Sequence, residues 1–352
     1  MTPKHGLSGS FLKAHATMEG LIVATIGIIA NPASGKDIRR LVSYATTIDN
    51  NEKVNICQRI VLAAQSLGVE RVRFMPETFM IGYAVLDNME NDGVLHTEIS
   101  TLDFEIDASL QDTVIAARML EEEGVGCVIV LGGDGTSRAA AKSLDRVPLI
   151  SVSTGTNNVY PTLMEGTVVG VAAAAVAQME DPYSCCIRDK RIEVYVNGVF
   201  RDIALIDAVV SDDFFTGARA IWDPSRIRRV IVSRCHPASI GFSAVAGAYA
   251  IVKDSDDFGF AVCLGEGGER VISPIAAGVL TEVGITEARR IPLDEAYSFT
   301  AEQRCMIALD GERELPVAAG DTVTLLLKRN GPWRVLPHKA IEQAQKNGLF
   351  RR

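Results

Sequence analysis

One ten-residue stretch decides the fold, Cys127-Val128-Ile129-Val130-Leu131-Gly132-Gly133-Asp134-Gly135-Thr136. Its first five residues are apolar and mostly β-branched, and glycines end the run. Such a run predicts a strand that is buried on both faces of a sheet. The residues 137–144 favour a helix, so Asp134 and Thr136 are predicted to lie on a strand-to-helix loop at the carboxyl end of a central strand. Open α/β sheets bind their ligands at such loops.

Three glycines surround the aspartate of this loop, at Gly132, Gly133 and Gly135. Glycines let a backbone approach a ligand closely and adopt the positive φ of a tight turn. The amides of the loop and the N-terminus of the following helix favour phosphate. A glycine-rich turn with a capping aspartate explains the same residues equally well. The loop taken alone therefore leaves both interpretations open.

Two more predicted strands run into loops of small polar residues. The strand that ends at Ala30 is followed by Asn31-Pro32-Ala33-Ser34-Gly35-Lys36-Asp37. The strand at 147–152 is followed by Ser153-Thr154-Gly155-Thr156-Asn157-Asn158. Each loop has the amides, hydroxyls or cation that bind phosphate, although turns and helix caps use the same residues. None is a Walker A loop or a G-x-G-x-x-G motif. We expect the three loops to converge on one crevice.

The rest of the first half alternates between helical and strand patterns. Apolar residues at helical spacing predict helices at 55–67, 79–89, 110–123 and 168–179, and strands are expected at 69–75 and 98–104. This alternation implies a mostly parallel sheet with helices on both faces.

From Ile187 onward the pattern becomes that of short strands, with a hairpin signal at Asn197-Gly198. Further strands are expected at 260–264, 305–309 and 322–328. We predict an N-terminal extension at 1–20, an α/β nucleotide-binding domain at 21–185, a β-rich domain at 186–337 and a C-terminal tail helix at 338–352.

Composition excludes several classes of protein. The formal net charge of −9 argues against a nucleic-acid binder, which normally carries a basic footprint. The seven cysteines form no C-x-x-C pair, which favours reduced thiols in a cytoplasmic protein. The apolar segment 21–30 is too short to span a bilayer, and no small-residue cleavage site follows it, so we interpret its second half as the first strand. We expect neither nucleic acid nor a membrane as a partner.

These loops carry a resemblance to a known superfamily. Gly-Gly-Asp-Gly-Thr at 132–136 resembles the signature of the NAD kinase, diacylglycerol kinase and sphingosine kinase superfamily. The loop after Ala30 resembles the Asn-Pro-x-Ser-Gly loop of the lipid kinases, and the longer run 27–41 resembles the ATP-NAD kinase-like acetoin catabolism protein X family. The loop after Val152 resembles the Gly-Thr-Gly-Asn loop of lipid kinases and the Asn-Thr-Gly-Thr loop of NAD kinases.

The resemblance covers about 27–334 and implies an α/β fold, in which an N-terminal parallel-sheet α/β (NAD kinase-like) domain precedes a β-rich C-terminal domain. It implies an ATP-dependent kinase that uses ATP and Mg²⁺ and phosphorylates a hydroxyl acceptor, with NAD as the first choice. A small hydroxy-compound of acetoin-type catabolism is the alternative acceptor. A non-catalytic nucleotide- or NAD-sensing protein is a third reading, because 239–244 differs from the Thr-Gly-Ser-Thr-Ala-Tyr element of NAD kinases. A homo-oligomer is a further expectation.

The resemblance also assigns residues. Asp134 and Asp310 are the expected catalytic residues, and Asp134 and Asp207 the expected metal ligands. The expected nucleotide-binding residues are Asn31, Ser34, Gly35, Lys36, Gly132, Gly133, Gly135, Thr136, Gly155, Thr156, Asn157 and Asn158. On residue type alone, Asp207 is an acid in an apolar strand that needs a partner or a metal if it is buried, or else a rim position. Asp310 is typical of an Asp-Gly hairpin turn.

A group of arginines between 219 and 234 allows two interpretations. Its members are Arg219, Arg226, Arg228, Arg229 and Arg234. They either receive an anionic substrate or form a solvated charged face.

Overall fold

A computed structural model of the protein describes residues 23–34, 48–212 and 224–351. Its strands are β1 (Thr25–Ala30), β2 (Arg71–Phe74), β3 (Glu98–Thr101), β4 (Cys127–Gly132), β5 (Leu149–Ser153), β6 (Cys186–Arg188), β7 (Arg191–Val196), β8 (Val199–Ala204), β9 (Asp207–Ser211), β10 (Ile227–Val232), β11 (Phe258–Ala276), β12 (Val279–Pro292), β13 (Ala296–Thr300), β14 (Cys305–Leu309), β15 (Glu312–Val317), β16 (Thr322–Lys328) and β17 (Trp333–Val335). Its helices are α1 (Asn50–Ser66), α2 (Ile81–Asn91), α3 (Leu110–Glu123), α4 (Asp134–Ala141), α5 (Gly166–Ala177), α6 (Ser243–Tyr249) and α7 (Pro337–Lys346).

The first sheet has the strand order β3-β2-β1-β4-β5-β17-β6. Strands β1 to β5 pair in parallel, as the βαβ pattern predicted. Every residue of β4 is buried, because helices cover both faces of the sheet. One core cluster contains residues of α1, α2, α5 and α7, and a second contains residues of α3 and α4. The predicted α/β architecture is confirmed.

Local sequence explains where the helices of this layer begin and end. The side chain of Asp49 caps α1 by accepting a hydrogen bond from the amide of Glu52, and Gly124 ends α3 with a φ of 65°. The prediction was wrong at α4, which begins at Asp134 and not at Ser137. Asp134 and Thr136 therefore lie in the first helical turn, where an acidic side chain is stabilised by the helix dipole.

The β-rich part consists of two antiparallel sheets that share an apolar core. Their strand orders are β12-β11-β10-β9-β14-β15 and β13-β16-β7-β8. The predicted hairpin at Asn197-Gly198 joins β7 to β8, and both turn residues have positive φ. The predicted strand 260–264 is only the start of β11, which has 19 residues. Its glycines at 265, 267 and 268 lie at an irregular register shift inside the hairpin of β11 and β12.

The chain returns to the first sheet after the β-rich part. Strand β17 pairs with β5 and β6, and the side chain of Ala340 in α7 is buried in the core beneath the sheet. The domain limits near 185 and 337 stay a prediction. All seven cysteines are described and all are free thiols, as expected. Among the described residues, no helix combines the length and the apolar character that crossing a bilayer requires.

The contact between α1 and α5 gives a test of this packing. A methyl group added at Gly170 would overlap the carbonyl oxygen of Ile60 and lie 2.9 Å from Cβ of Ala63. We expect Gly170→Ala to lower the free energy of unfolding by about 1–3 kcal/mol, because two backbones must separate. The half-exposed Val168 of the same helix supplies the control Val168→Ala. Urea denaturation of both variants measures the difference, and equal stability of the two would contradict the close packing.

Candidate functional site

Three loops meet at the carboxyl ends of β1, β4 and β5, which are neighbours in the first sheet. The side-chain amide of Asn31 donates to Oγ1 of Thr136 over 2.9 Å. The hydroxyl groups of Ser34 and Thr154 lie 3.0 Å apart, and the backbone amide of Thr154 donates to the carbonyl of Gly132 over 3.1 Å. The predicted convergence of the loops is therefore present. The expected binding residues Gly35 and Lys36 lie outside the described residues.

The Asp134 side chain has a defined orientation. Its carboxylate accepts hydrogen bonds from the backbone amides of Val159 at 3.0 Å and Tyr160 at 2.8 Å. These amides follow the third loop, so Asp134 ties the start of α4 to the end of that loop. The side chain is half-buried. A carboxylate held by two amides is fixed in place before any ligand arrives.

Two glycines beside Asp134 are closely approached by side chains. A Cβ on Gly132 would lie 2.5 Å from Cβ of Thr136, an atom next to the backbone of α4, so this position needs glycine for space. A Cβ on Gly135 would lie 2.5 Å from Oε1 of Glu312, which is the far end of a flexible side chain and can shift. Neither position has a positive φ.

The third loop is braced by Asn158, whose side-chain amide donates to Oγ of Ser153 over 2.7 Å. Oδ1 of Asn158 lies only 3.0 Å from the position of a Cβ on Gly133. The adjacent Asn157 has a buried Oδ1 that meets no hydrogen-bond partner among the residues described. A buried polar atom of this kind marks a place where a ligand or water belongs. The side chain of Thr156 is exposed.

Arg138 connects α4 to the β-rich part and was not identified from the sequence. Its side chain is 1% exposed, and Nη1 lies 3.1 Å from the Asp202 carboxylate. Nε lies 3.9 Å from Asp310, and Nη2 lies 3.7 Å from Glu312. The ammonium of Lys142 lies 2.9 Å from the same Asp202 carboxylate. Only its spacing of four residues from Asp134 on one helix could have indicated that Arg138 lies near the site.

Asp310 occupies the predicted hairpin turn between β14 and β15, with a φ of 49°. Its carboxylate accepts hydrogen bonds from the amides of Leu205 at 2.9 Å, Ile206 at 2.8 Å and Asp207 at 3.1 Å. Burial raises the pKa of the Asp310 carboxyl, while Arg138 and the three amides oppose this rise. The backbone of Asp207 also accepts from the Asp310 amide over 3.0 Å, so the two predicted acids are direct neighbours.

Asp207 is 6% exposed at the start of β9. Of the two interpretations of this residue, a buried acid and a rim position, the structure supports the buried acid. Across the ranges 23–34, 48–212 and 224–351, no set of three His, Cys, Asp or Glu side chains is arranged to hold a metal ion. A metal ion at this site would therefore need ligands from a bound substrate or from water in addition to protein side chains.

Lys53 is the second residue that the sequence analysis missed. It lies in the first turns of α1 and is fully buried. Its Nζ donates to the carbonyl oxygens of Asn31 at 2.8 Å and Ser34 at 3.0 Å. The position of Lys53 three residues before the buried Ile56 was the available signal, since it places the lysine on the apolar face of the helix.

The arginines that were considered for an anionic substrate are dispersed. Arg234 is buried against Asp189 at 2.9 Å and Asp254 at 2.8 Å. Arg228 pairs with Asp212, and Arg229 donates to the Tyr297 hydroxyl over 2.9 Å. Arg219 falls outside the residues described. Arg228, Arg229 and Arg234 thus have separate structural partners and do not form a common anion site.

The ion pair between Arg234 and Asp189 is part of a larger buried network that reaches the site through Tyr160. Arg334 of β17 also binds Asp189, with Nε 2.9 Å from the carboxylate, and the Tyr160 hydroxyl donates to it over 2.7 Å. Burial raises the pKa of Asp189, but Arg234 and Arg334 outweigh it and lower the pKa overall. Tyr160 therefore connects this network to Asp134, which its backbone amide binds.

Replacement of Arg138 tests the link between the two parts of the chain. We expect Arg138→Met to lower the free energy of unfolding by about 3–5 kcal/mol, because buried carboxylates lose their cation. Arg71→Met is the control, since the Arg71–Glu98 pair is exposed on both sides and should contribute less than about 1 kcal/mol. Chemical denaturation followed by circular dichroism measures both. A small, equal loss in the two variants would show that Arg138 is not a structural link.

Two domain families match successive parts of the chain. Residues 26–179 match the ATP-NAD kinase N-terminal domain, and residues 190–330 match the acetoin catabolism protein X C-terminal domain. The chain is 38% identical over 319 residues to acetoin catabolism protein X of Cupriavidus necator, an alignment that covers 87% of this chain and 88% of that protein.

One solved structure shows the same fold at low sequence identity. Yeast NADH kinase complexed with NADH is similar with a TM-score of 0.51 and 13% identity, over 92% of this chain and 87% of that one. A putative diacylglycerol kinase from Bacillus anthracis is similar with a TM-score of 0.47 and 11% identity, over 89% and 97% of the two chains. The fold is thus that of the NAD kinases, and by its sequence the chain belongs to the acetoin catabolism protein X family.

Proposed function

We propose that the protein is an ATP-dependent kinase that transfers the γ-phosphoryl group of ATP to a hydroxyl acceptor, with NAD as the first candidate acceptor. One observation carries this proposal. Asp134 begins α4 where the three loops meet, and two backbone amides hold its carboxylate in position. Phosphoryl transfer depends on positioning and charge neutralisation more than on covalent chemistry, and a carboxylate held in this way serves the positioning.

The loops supply donors for the phosphate groups. In the proposal, the amides of Gly132, Gly133 and Gly135 and the N-terminus of α4 bind phosphate oxygens. The hydrogen bond between Asn31 and Thr136 joins the first loop to this turn. The buried Oδ1 of Asn157 fits a ligand donor group. The remaining predicted contacts are assigned to Ser34, Gly35, Lys36, Gly155, Thr156 and Asn158.

The acidic residues of the site can bind Mg²⁺ when the nucleotide supplies most of the metal's other ligands. Mg²⁺ keeps several waters and takes one or two carboxylates together with substrate phosphates. The half-buried Asp134 fits such a shell, whereas Asp207 is only 6% exposed and leaves little room for water. We therefore assign the metal to Asp134. When bound, Mg²⁺ neutralises charge on the phosphates.

Asp310 receives a positioning role in this proposal. Its carboxylate accepts three backbone amides and lies beside Arg138, so its bonds hold 205–207 against the β14–β15 turn. A base must reach the proton of the acceptor hydroxyl. Asp134 lies at the meeting point of the loops and is the better placed of the two acids for that task.

The relative from Cupriavidus necator favours a second acceptor. Its name places it in acetoin catabolism, and this chain matches it over nearly its whole length. A small hydroxy-compound of such a catabolism is therefore the second candidate. The first candidate rests on the ATP-NAD kinase domain that residues 26–179 match.

Acceptor-dependent turnover tests the proposal. We expect the purified chain with ATP and Mg²⁺ to form ADP when NAD or acetoin is added, and Asp134→Asn to lower kcat by about 10²–10⁴-fold because the acceptor hydroxyl loses its base. Asp112→Asn is a matched control. The Asp112 carboxylate also accepts two backbone amides, from Asp107 and Ala108, but it lies at the start of α3 and is not part of the three loops.

Each outcome of this assay has a distinct meaning. Loss of turnover in Asp134→Asn with retention in Asp112→Asn supports the kinase, and the active acceptor identifies its substrate class. Binding of ATP without turnover for any acceptor, unchanged in Asp134→Asn, would count for a nucleotide- or NAD-sensing protein instead.

A further inference from the structure

The first loop has a buried cation beneath it. Lys53 is fully buried, and its ammonium reaches the carbonyls of Asn31 and Ser34 as well as Oδ1 of Asn50, the last over 3.1 Å. Burying an ammonium group is unfavourable unless hydrogen bonds replace its water. Here two of the replacing oxygens are backbone atoms at the two ends of one short turn.

Those two carbonyls define the shape of the loop. The Asn31 carbonyl also accepts from the amide of Ser34 at 3.3 Å and from its hydroxyl at 2.8 Å. The amide of Ala33 donates to Oδ1 of Asn31 over 2.8 Å. The ammonium thus closes a turn whose own hydrogen bonds are few and partly solvent-exposed. Without it, the Ser34 carbonyl would lose a donor, and the Asn31 carbonyl would retain the amide and the hydroxyl of Ser34.

The same two residues carry the contacts between loops. Asn31 reaches Thr136 on α4, and Ser34 reaches Thr154 after β5. A shift of the turn would therefore move the first loop relative to both other loops. One other charged group near Lys53 is Glu77, which accepts from the amide of Phe79 over 2.6 Å. Burial raises the pKa of Glu77, and Lys53 opposes that rise.

We propose that Lys53 is a positioning residue for the nucleotide, which fixes the 31–34 turn in the shape that binds the triphosphate. The inference rests on the proposed use of this site for ATP. Lys53 acts through the loop and does not touch the ligand. In this proposal the triphosphate is recognised by the shape of the 31–34 turn and not by a cationic side chain alone.

Binding measurements on Lys53→Met test this role. We expect its Kd for ATP to rise about tenfold or more, while its Kd for adenosine changes less than about twofold, because only the phosphates meet the turn. Lys190→Met is the matched control. Lys190 is also fully buried and donates to two backbone carbonyls, those of Lys253 at 3.0 Å and Phe258 at 2.7 Å, neither of which belongs to the three loops. Isothermal titration at a temperature where each variant is folded gives both constants.

A milder variant covers the case in which Lys53→Met does not fold. Asn50→Ala removes one acceptor of the ammonium and keeps both carbonyl contacts. We expect it to weaken ATP binding about two- to fivefold, again without an effect on adenosine. An unchanged ratio of the two constants in the folded variant overturns the inference.

Hydrogen exchange separates this inference from the proposed function. Without any nucleotide, the backbone amides of Asn31, Ala33 and Ser34 should exchange faster in Lys53→Met or Asn50→Ala than in the unsubstituted protein or in Lys190→Met. Equal exchange overturns the positioning role even if ATP binds. Failure of the unsubstituted protein to bind ATP overturns the proposed function, and the exchange result still decides whether Lys53 shapes the turn.

Discussion

The buried guanidinium of Arg138 is the constraint on which the arrangement of the site depends. It is 1% exposed, and carboxylates from β8 and from the β14–β15 hairpin surround it. A buried charge of this kind is tolerated only when its partners are in place, so α4 and the hairpin cannot separate without a large penalty. Asp134 begins the same helix. The Arg138 side chain therefore fixes the distance between Asp134 and the acidic residues of the β-rich part that surround the guanidinium.

Much of this architecture could be predicted from local pattern. The parallel sheet follows from alternating helical and strand patterns, and the convergence of the loops follows because the carboxyl ends of neighbouring parallel strands meet at one edge. The start of α4 was misplaced for an identifiable reason. Gly-Gly-Asp-Gly-Thr has the composition of a loop, yet an acid in the first turn is favoured by the helix dipole, and packing of Gly132 and Gly135 against neighbours holds the turn in place.

The remaining parts depend on contacts between distant residues, which local pattern does not encode. Arg138 meets a carboxylate 64 residues away, and Lys53 meets carbonyls 22 and 19 residues before it. Local spacing places Lys53 on the apolar face of α1 and Arg138 four residues after Asp134, but it does not identify the partners of either residue. Strand β17 was not predicted for the same reason, because its three residues form a strand only where they pair with β5 and β6. These long-range contacts could be identified only from the folded structure.

A common device fixes the acids of the site. Backbone amides at the end of the third loop hold Asp134, and amides of the turn before β9 hold Asp310. Amides belong to the scaffold and cannot rotate away as side chains can, so these carboxylates are oriented before a ligand binds. The Asp189 network extends the device, because the Tyr160 hydroxyl anchors the residue whose amide binds Asp134. The orientation of Asp134 is thereby made to depend on Arg234 of the β-rich part and on Arg334 of the returning strand.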